Sequence, residues 1–223
     1  MAARTPQKRI VLQGHEPGTR SLPDCSKGPA PSYVYLLSPA NASGERAKLL
    51  FRPQATFELA HRLRTAGISI GEAFSFMSSL YFRGKLEYTS VFARSVNGVP
   101  GTLVITASGG LLRPETVVRF DELAELSREK IVARNPKYRD PLQRDLRALS
   151  DAIGTNGRVV LLGSIATKKY LPLLVGALGQ RLMVPRAFLG LGNMQRGALL
   201  LRCSRERREL EYVCAADVLA KPQ

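Results

Sequence analysis

Three short apolar segments, each ending abruptly at small residues, constrain the fold of this chain more than any other feature. They are Tyr33–Leu37, Thr102–Thr106 and Arg158–Leu162, and the residues that follow them are Ser38-Pro39, Ala107-Ser108-Gly109-Gly110 and Gly163-Ser164. Continuous apolar runs of this length are typical of strands that are covered on both faces of a sheet. The sequence therefore predicts a buried, mostly parallel β-sheet.

Segments with helical periodicity separate these strands. Apolar residues at helical spacing predict helices after residue 53, over residues 71–94, and near residues 120–126, 140–153 and 168–177. A short fourth strand is predicted at Arg181–Val184. Because strands that alternate with helices are typical of α/β folds, we predict a three-layer α/β/α fold with a mostly parallel central sheet, formed by a single domain over residues 32–223.

The two ends of the chain depart from this pattern. Residues 1–31 are rich in Gly, Pro, Ser and charge, which predicts a basic, largely disordered N-terminal arm. Within this arm, Arg9–Leu12 has the composition of an edge strand. Near the other end, the apolar stretches Ala198–Cys203 and Leu210–Ala215 flank a charged segment and predict a hairpin.

The net charge of +15 is the strongest signal in the composition. Residues 1–52 contain 8 basic and 3 acidic side chains, and residues 158–223 contain 11 and 4, so the excess is concentrated at the two ends. An excess of this size attracts phosphate groups. If the two ends meet on one face, they form a basic patch for nucleic acid; the alternative is an arginine-rich surface that only keeps the protein in solution.

Several classes of protein and site find no support in the sequence. Cys25, Cys203 and Cys214 lack the spacing of a disulfide framework or a zinc site, so no metal site is predicted. There is no phosphate-binding P-loop, no HExxH and no GxGxxG fingerprint, so no cofactor is predicted. No apolar run approaches the roughly 18 residues of a membrane span, and no secretory signal is recognised, so we expect a cytoplasmic protein without a membrane partner.

The small polar residues after the three strands are the main candidates for a binding site. Ligands of open parallel sheets bind outside the carboxyl ends of the strands, so we expect these loops to form a pocket for an anion or a nucleobase. The alternative is that Ser and Gly serve only as turn residues. The predicted ligand-binding residues, none of which is assigned a catalytic role, are Ser38, Asn41, Arg46, Arg83, Lys85, Ser108, Gly109, Gly110, Glu115, Ser164, Lys168, Lys169 and Tyr170.

Charged and aromatic residues near the loops suggest how this pocket would work. Lys168 and Lys169 could supply charge for a phosphate, and Tyr170 a ring for base stacking, although a solvated helix turn explains the same residues. Glu115 could act as a general base, although a carboxylate beside arginines is most often part of a surface ion pair.

The order of several motifs resembles a known group of proteins. The motifs are Tyr81–Lys85, Val104–Thr116, Val160–Gly163 and Lys168–Leu174. In this order they resemble small bacterial and phage proteins related to the uracil-DNA-glycosylase-like domain of archaeosine synthase, over about residues 33–195. Where that family usually has a Cys-Ser-Lys-like loop after the first strand, this chain has Ser38-Pro39-Ala40-Asn41. The resemblance implies a nucleobase-sized pocket on a glycosylase-like sheet and transfers no catalytic residue.

The leading hypothesis from the sequence is a protein linked to nucleic acid or nucleotides, with a nucleobase-sized pocket, that modifies a base or acts on an N-glycosidic bond. The alternative is a non-enzymatic nucleic-acid-binding or protein-scaffold module on the same fold. Both depend on one geometric condition: the loops bearing Ser38, Ser108 and Ser164 must open onto the same electropositive hollow.

Overall fold

The computed structural model describes residues 32–167 and 169–220. The predicted N-terminal arm, the edge strand at Arg9–Leu12 and the candidate site residue Lys168 therefore lie outside the described residues. The strands of the central sheet are β1 (Tyr33–Leu37), β3 (Thr102–Ile105), β4 (Leu111–Leu112), β6 (Arg158–Leu162), β7 (Leu182–Pro185) and β8 (Tyr212–Cys214). A separate two-stranded sheet pairs β2 (Ile68–Ser69) with β5 (Val117–Val118).

The helices fill the connections between the strands. They are α1 (Glu45–Phe51), α2 (Glu58–Thr65), α3 (Ile70–Ser78), α4 (Leu80–Phe92), α5 (Phe120–Arg128), α6 (Pro136–Ala152), α7 (Leu171–Leu178), α8 (Asn193–Glu206) and α9 (Ala215–Leu219). Two short 3₁₀ helices, Gly179–Arg181 and Arg186–Phe188, flank β7. Within the described part of the chain, no helix is both long and apolar enough to cross a bilayer.

The central sheet is mostly parallel, as predicted. Its strand order is β4-β3-β1-β6-β7-β8. The strand β1 pairs in parallel with β3 on one side and with β6 on the other, and β6 pairs in parallel with β7. Only the outer strands β4 and β8 run antiparallel to their neighbours. The later strands β3 and β6 are thus added on opposite sides of β1. The carboxyl end of β1 is therefore the point at which α/β sheets of this kind bind ligands.

Both faces of the sheet are covered, which explains why the strands are apolar throughout. Tyr35 and Leu37 of β1 pack into a core shared with α1 to α4 and α8. The alternate residues Val34 and Leu36 pack into a second core shared with α6, α7 and α9. The prediction of a three-layer α/β/α architecture is confirmed by this arrangement.

The predicted hairpin near the C terminus is wrong in its first half. Residues 198–203 belong to α8, and only Tyr212–Cys214 forms a strand. The helix begins at Asn193 because the Gln195 side chain accepts a hydrogen bond from the Gly192 amide at 2.9 Å, which closes its first turn. The apolar residues in the range 198–203 thus follow helical rather than strand spacing.

The helical segment predicted over residues 71–94 is also interrupted. Ser79 adopts a left-handed φ of 50° and separates α3 from α4. The start of α3 is fixed by a capping box, in which the Glu72 amide donates to the Ser69 hydroxyl and the Ser69 amide donates to the Glu72 carboxylate. Because the chain bends at Ser79, α4 is free to lie along α8.

A contact between two glycines allows α4 and α8 to pack closely. A Cβ atom on Gly84 would lie 2.8 Å from the Gly197 carbonyl oxygen, and one on Gly197 would lie 2.9 Å from the Tyr81 Cα atom. Side chains other than hydrogen would therefore push the helices apart. This crossing positions Lys85, which is next to Gly84, and Arg196, which is next to Gly197.

We expect Gly84→Ala and Gly197→Ala each to lower the free energy of unfolding by about 1–3 kcal/mol, because the new methyl group overlaps backbone atoms that cannot move independently. Gly176→Ala is the matched control, since a Cβ at this exposed position in α7 meets nothing within 4 Å and alanine favours a helix. Denaturant unfolding of the three variants measures the difference. Equal stabilities would show that the glycine contact does not limit the approach of the helices.

Candidate functional site

The loops after β1 and β6 meet at the carboxyl edge of the sheet. The Ser38 amide donates to the Leu162 carbonyl oxygen at 3.2 Å. A Cβ atom on Gly163 would lie 2.9 Å from the Ser38 Cβ atom and 2.8 Å from the Tyr170 hydroxyl. Glycine at this position therefore lets the two serine loops and Tyr170 come together, as the sequence predicts for Ser38 and Ser164.

Tyr170 ties the β6 loop to the start of α7. Its hydroxyl accepts a hydrogen bond from the Ser164 amide at 3.0 Å and donates to the Ser164 carbonyl oxygen at 3.1 Å. Burial raises the pKa of this phenol, while the Ser164 amide and the Ser38 side chain act in the opposite direction. The ring is buried in the core, so its role is to shape the loop rather than to present a stacking surface.

Lys85 is the most unusual residue at this edge. It lies on α4, its side chain is only 2% exposed, and its Nζ atom donates to the Ser38 carbonyl oxygen at 2.9 Å and to the Ser38 hydroxyl at 2.7 Å. The Nζ atom also lies 4.2 Å from the centre of the Tyr81 ring. Burial, followed by the positive charge of Arg196, lowers the pKa of Lys85 to about 7.

A second buried cation, Arg196, reaches the same place from α8. Its Nε and Nη2 atoms donate to the Phe188 carbonyl oxygen at 3.3 and 3.1 Å. The guanidinium also lies over the Phe188 ring, with 5.4 Å between Cζ and the ring centre. Arg196 is not among the residues predicted from the sequence, because it follows the polar run Asn193–Gln195 and therefore has the sequence context of a surface residue. The neighbouring Gly197 is a sequence signal of close helix packing at this position.

Tyr81 adds an unsatisfied hydroxyl to the two cations. The residue is 8% exposed, and its Oη atom is buried and forms no hydrogen bond of normal geometry within residues 32–167 and 169–220, although the Arg196 side chain lies close to it. Burial raises the pKa of the phenol to about 12, although Arg196 acts to lower it. Since buried hydroxyl groups are rarely left without a partner, the Tyr81 hydroxyl proton is a candidate donor to a ligand.

Together these side chains form what we call the carboxyl-edge cluster, which consists of Ser38, Tyr81, Lys85, Ser164, Tyr170 and Arg196. Neither Lys85 nor Arg196 forms an ion pair with a carboxylate in the described residues 32–167 and 169–220. Burying a cation without a counter-ion is costly, and two such cations close together repel each other. The cluster is therefore suited to an anionic group supplied from outside.

The third predicted loop has a different structure. After β3 the chain turns back into β4 rather than into a helix. The Thr106 hydroxyl donates to the Gly110 carbonyl oxygen and accepts from the Gly109 amide, and the Leu111 amide donates to Asp145 of α6. These contacts place Ser108, Gly109 and Gly110 at the tip of a tight turn, so its polar backbone groups serve the turn itself.

The remaining candidates near this edge lie on the surface. The Asn41 side chain accepts hydrogen bonds from the amide and hydroxyl of Ser43, which orders the loop between β1 and α1. Arg46 is exposed and lies over the Phe76 ring, 5.4 Å from its centre. Lys169 is exposed beside the β6 loop, where its charge faces solvent.

Arg83 and Glu115 lie away from the cluster. Both line a groove of about 860 Å³ between α3, α4 and the segment that joins β4 to β5. The groove also contains Gly101 and Thr102, which lie at the amino end of β3, so it occupies a different side of the molecule from the strand carboxyl ends. Arg83 and Lys85 thus lie on opposite faces of α4.

The comparisons with known proteins give no assignment. No family model, no curated protein and no solved structure matches the chain. The resemblance to the glycosylase-like proteins therefore stays a prediction. Within the described residues, no group of three or more His, Cys, Asp or Glu side chains is placed to hold a metal ion.

The low pKa of Lys85 predicts a specific pH dependence of stability. Between about pH 7 and 10.5 the unfolded chain carries a proton on Lys85 that the folded chain has released, so raising the pH favours the folded state. In this window the wild type should gain up to about 1.4 kcal/mol of unfolding free energy per pH unit relative to Lys85→Met. Urea unfolding at pH 7, 8 and 9 measures this gain. A difference between the two proteins that does not change with pH would show an ordinary lysine.

Proposed function

We propose that the carboxyl-edge cluster binds the phosphate of a nucleotide or nucleic acid. The observation that carries the proposal is the pair of buried cations, Lys85 and Arg196, which have no carboxylate partner in the described part of the chain. Charges in a poorly solvated environment act more strongly and over longer distances than charges in water. An anion at the edge of the cluster would therefore compensate both of them.

Helix orientation supports the same ligand. The helix α7 begins directly after the β6 loop. The helices α4 and α8 bring Tyr81 and Arg196 to this edge from their first turns, and α4 ends beside Gly101 at the opposite edge of the sheet. All three helices thus direct their amino ends, which carry partial positive charge, toward the carboxyl edge.

The composition favours phosphate over a carboxylate ligand. A net charge of +15 attracts polyanions, and the concentration of basic residues near the two ends of the chain suits a long phosphate backbone better than a small acid. The planar guanidinium of Arg196 also suits phosphate oxygens, which accept paired hydrogen bonds. These observations support a nucleotide or nucleic acid as the ligand.

The contact between Ser38 and Lys85 favours an enzyme that modifies the bound nucleotide. With a pKa of about 7, the amine is neutral in roughly half of the molecules at neutral pH, so it can accept a proton from the Ser38 hydroxyl 2.7 Å away. The near-complete burial of both residues favours instead a binding protein in which the pair only shapes the loop. The two functions differ in whether product is formed.

Tyr81→Phe tests the proposed site with the smallest possible change. Because the Tyr81 hydroxyl is buried and unpartnered, its removal should leave the free energy of unfolding unchanged or raise it. If the hydroxyl donates to a bound phosphate, the same change should weaken the binding of a nucleoside monophosphate by about ten- to a hundredfold, since hydrogen bonds to charged groups contribute about 1.5–3 kcal/mol. Isothermal titration calorimetry of the two proteins gives the affinities.

Tyr138→Phe is the control, because its hydroxyl is also buried and has no hydrogen-bond partner among the described residues; it lies on α6, on the other face of the sheet, where Tyr170 is the member of the cluster that it faces. It should change stability in the same direction and leave the affinity unaltered. Equal effects of the two substitutions on binding, or no binding of any nucleoside monophosphate by the wild type, would contradict the proposal.

Mass spectrometry of nucleic acid incubated with the protein distinguishes an enzyme from a binding protein. If the Ser38 and Lys85 pair is catalytic, released or altered bases should accumulate with the wild type and fall at least a hundredfold with Ser38→Ala and with Lys85→Met. A binding protein would give no product at any pH. The wild-type rate of an enzyme should rise with pH through about 7, as Lys85 loses its proton.

A further inference from the structure

The groove on the outer side of α4 has the composition of a second binding surface. Its volume is about 860 Å³, and its lining includes the arginines Arg83, Arg94 and Arg113 together with the hydroxyl groups of Ser90 and Ser95. The three arginines are exposed, and Arg94 directs its guanidinium at the carbonyl oxygens of Val91 and Ala93. The groove is therefore open to solvent and rich in hydrogen-bond donors.

The unpaired charge in this groove is positive. Two acidic residues, Glu72 and Glu115, also line it. The Glu72 carboxylate is already occupied, because it accepts hydrogen bonds from Arg62 and from the Ser69 amide, both at 3.0 Å. Only Glu115 therefore opposes the three arginines, and an anionic ligand matches the charge that remains.

The helix α4 lies between the groove and the carboxyl-edge cluster. Arg83 lies between Tyr81 and Lys85 in the sequence, but it points to solvent while they point inward. From Arg83 to the end of α4 at Phe92 the helix extends roughly 14 Å, and Arg94 lies just beyond. A ligand in the groove is thus separated from the cluster by the width of α4.

We propose that this groove binds the sugar–phosphate backbone of a single-stranded nucleic acid. The proposal rests on the proposed function of the cluster and extends it from a single nucleotide to a strand. A stacked strand rises about 3.4 Å per nucleotide, so the arginines along α4 face about four or five phosphates, fewer if the strand is extended.

The chemistry of the groove indicates contact with the backbone rather than reading of the bases. Arginine and serine side chains bind phosphate and sugar oxygens, which are the same at every position of a strand. None of the described residues that line the groove carries an aromatic ring of the kind on which single-stranded bases usually stack. We therefore expect affinity that depends strongly on salt and weakly on sequence.

The test compares two double variants that remove the same charge. Arg83→Gln/Arg113→Gln changes the groove, and Arg134→Gln/Arg147→Gln removes two exposed arginines from α6 and the segment before it. Fluorescence anisotropy with 15-nucleotide oligo(dT) and oligo(U) gives the affinity of each variant for single strands between 50 and 300 mM salt. Since each phosphate contact contributes a slope of about 0.7 for single strands, the groove variant should reduce the slope of log affinity against log salt by about 1.4, with both oligonucleotides.

The control variant should change this slope by less than half as much. Equal slopes for the two variants, or a groove variant that matches the wild type, would overturn the proposal. Titration with a nucleoside monophosphate separates this outcome from failure of the proposed function, because the part of its binding that Tyr81→Phe weakens belongs to the cluster. If Arg83→Gln/Arg113→Gln weakened the monophosphate as much as the oligonucleotide, the groove would not be a separate backbone site.

Discussion

The close packing of α4 against α8 at Gly84 and Gly197 is the constraint on which the candidate site depends. Lys85 and Arg196 come from helices that are more than a hundred residues apart in the sequence, and only the absence of side chains at the crossing brings them together. Cations placed this close repel each other and are costly to bury. The packing of two large apolar cores on the sheet holds them there against this cost.

The same arrangement explains why β1 is the centre of the molecule. Because β1 pairs with β3 on one side and β6 on the other, its carboxyl end has no strand connection crossing over it. Ser38 follows directly and contacts the β6 loop, while its carbonyl oxygen and hydroxyl bind Lys85. The parallel sheet supplies the position, and the helix pair supplies the charge.

The strands and the fold class could be predicted from the sequence because continuous apolar runs and the small residues that end them are local signals. The helix α8 could not, since residues 198–203 have apolar spacing that suits either a strand or a helix, and the capping contact from Gln195 decides between them. The pairing of Ser38 with Lys85 also escapes a local reading. Lysine is a surface residue by default, and only the tertiary contact between α4 and β1 shows that this one is buried.

Arg83 and Lys85 show how one helix can serve two surfaces. Two residues along a helix are separated by about 200° around its axis, so a side chain that faces the sheet and one that faces solvent alternate within a single turn. The inward residues of α4 carry an amine of lowered pKa in a closed, poorly solvated cluster, and the outward ones carry arginine, which stays charged in the open groove. A strand lying along the outer face would therefore meet constant positive charge, while a ligand of the cluster on the inner face would meet a charge that changes near neutral pH. Backbone binding and the chemistry at the cluster can thus respond differently to pH, although they share a helix.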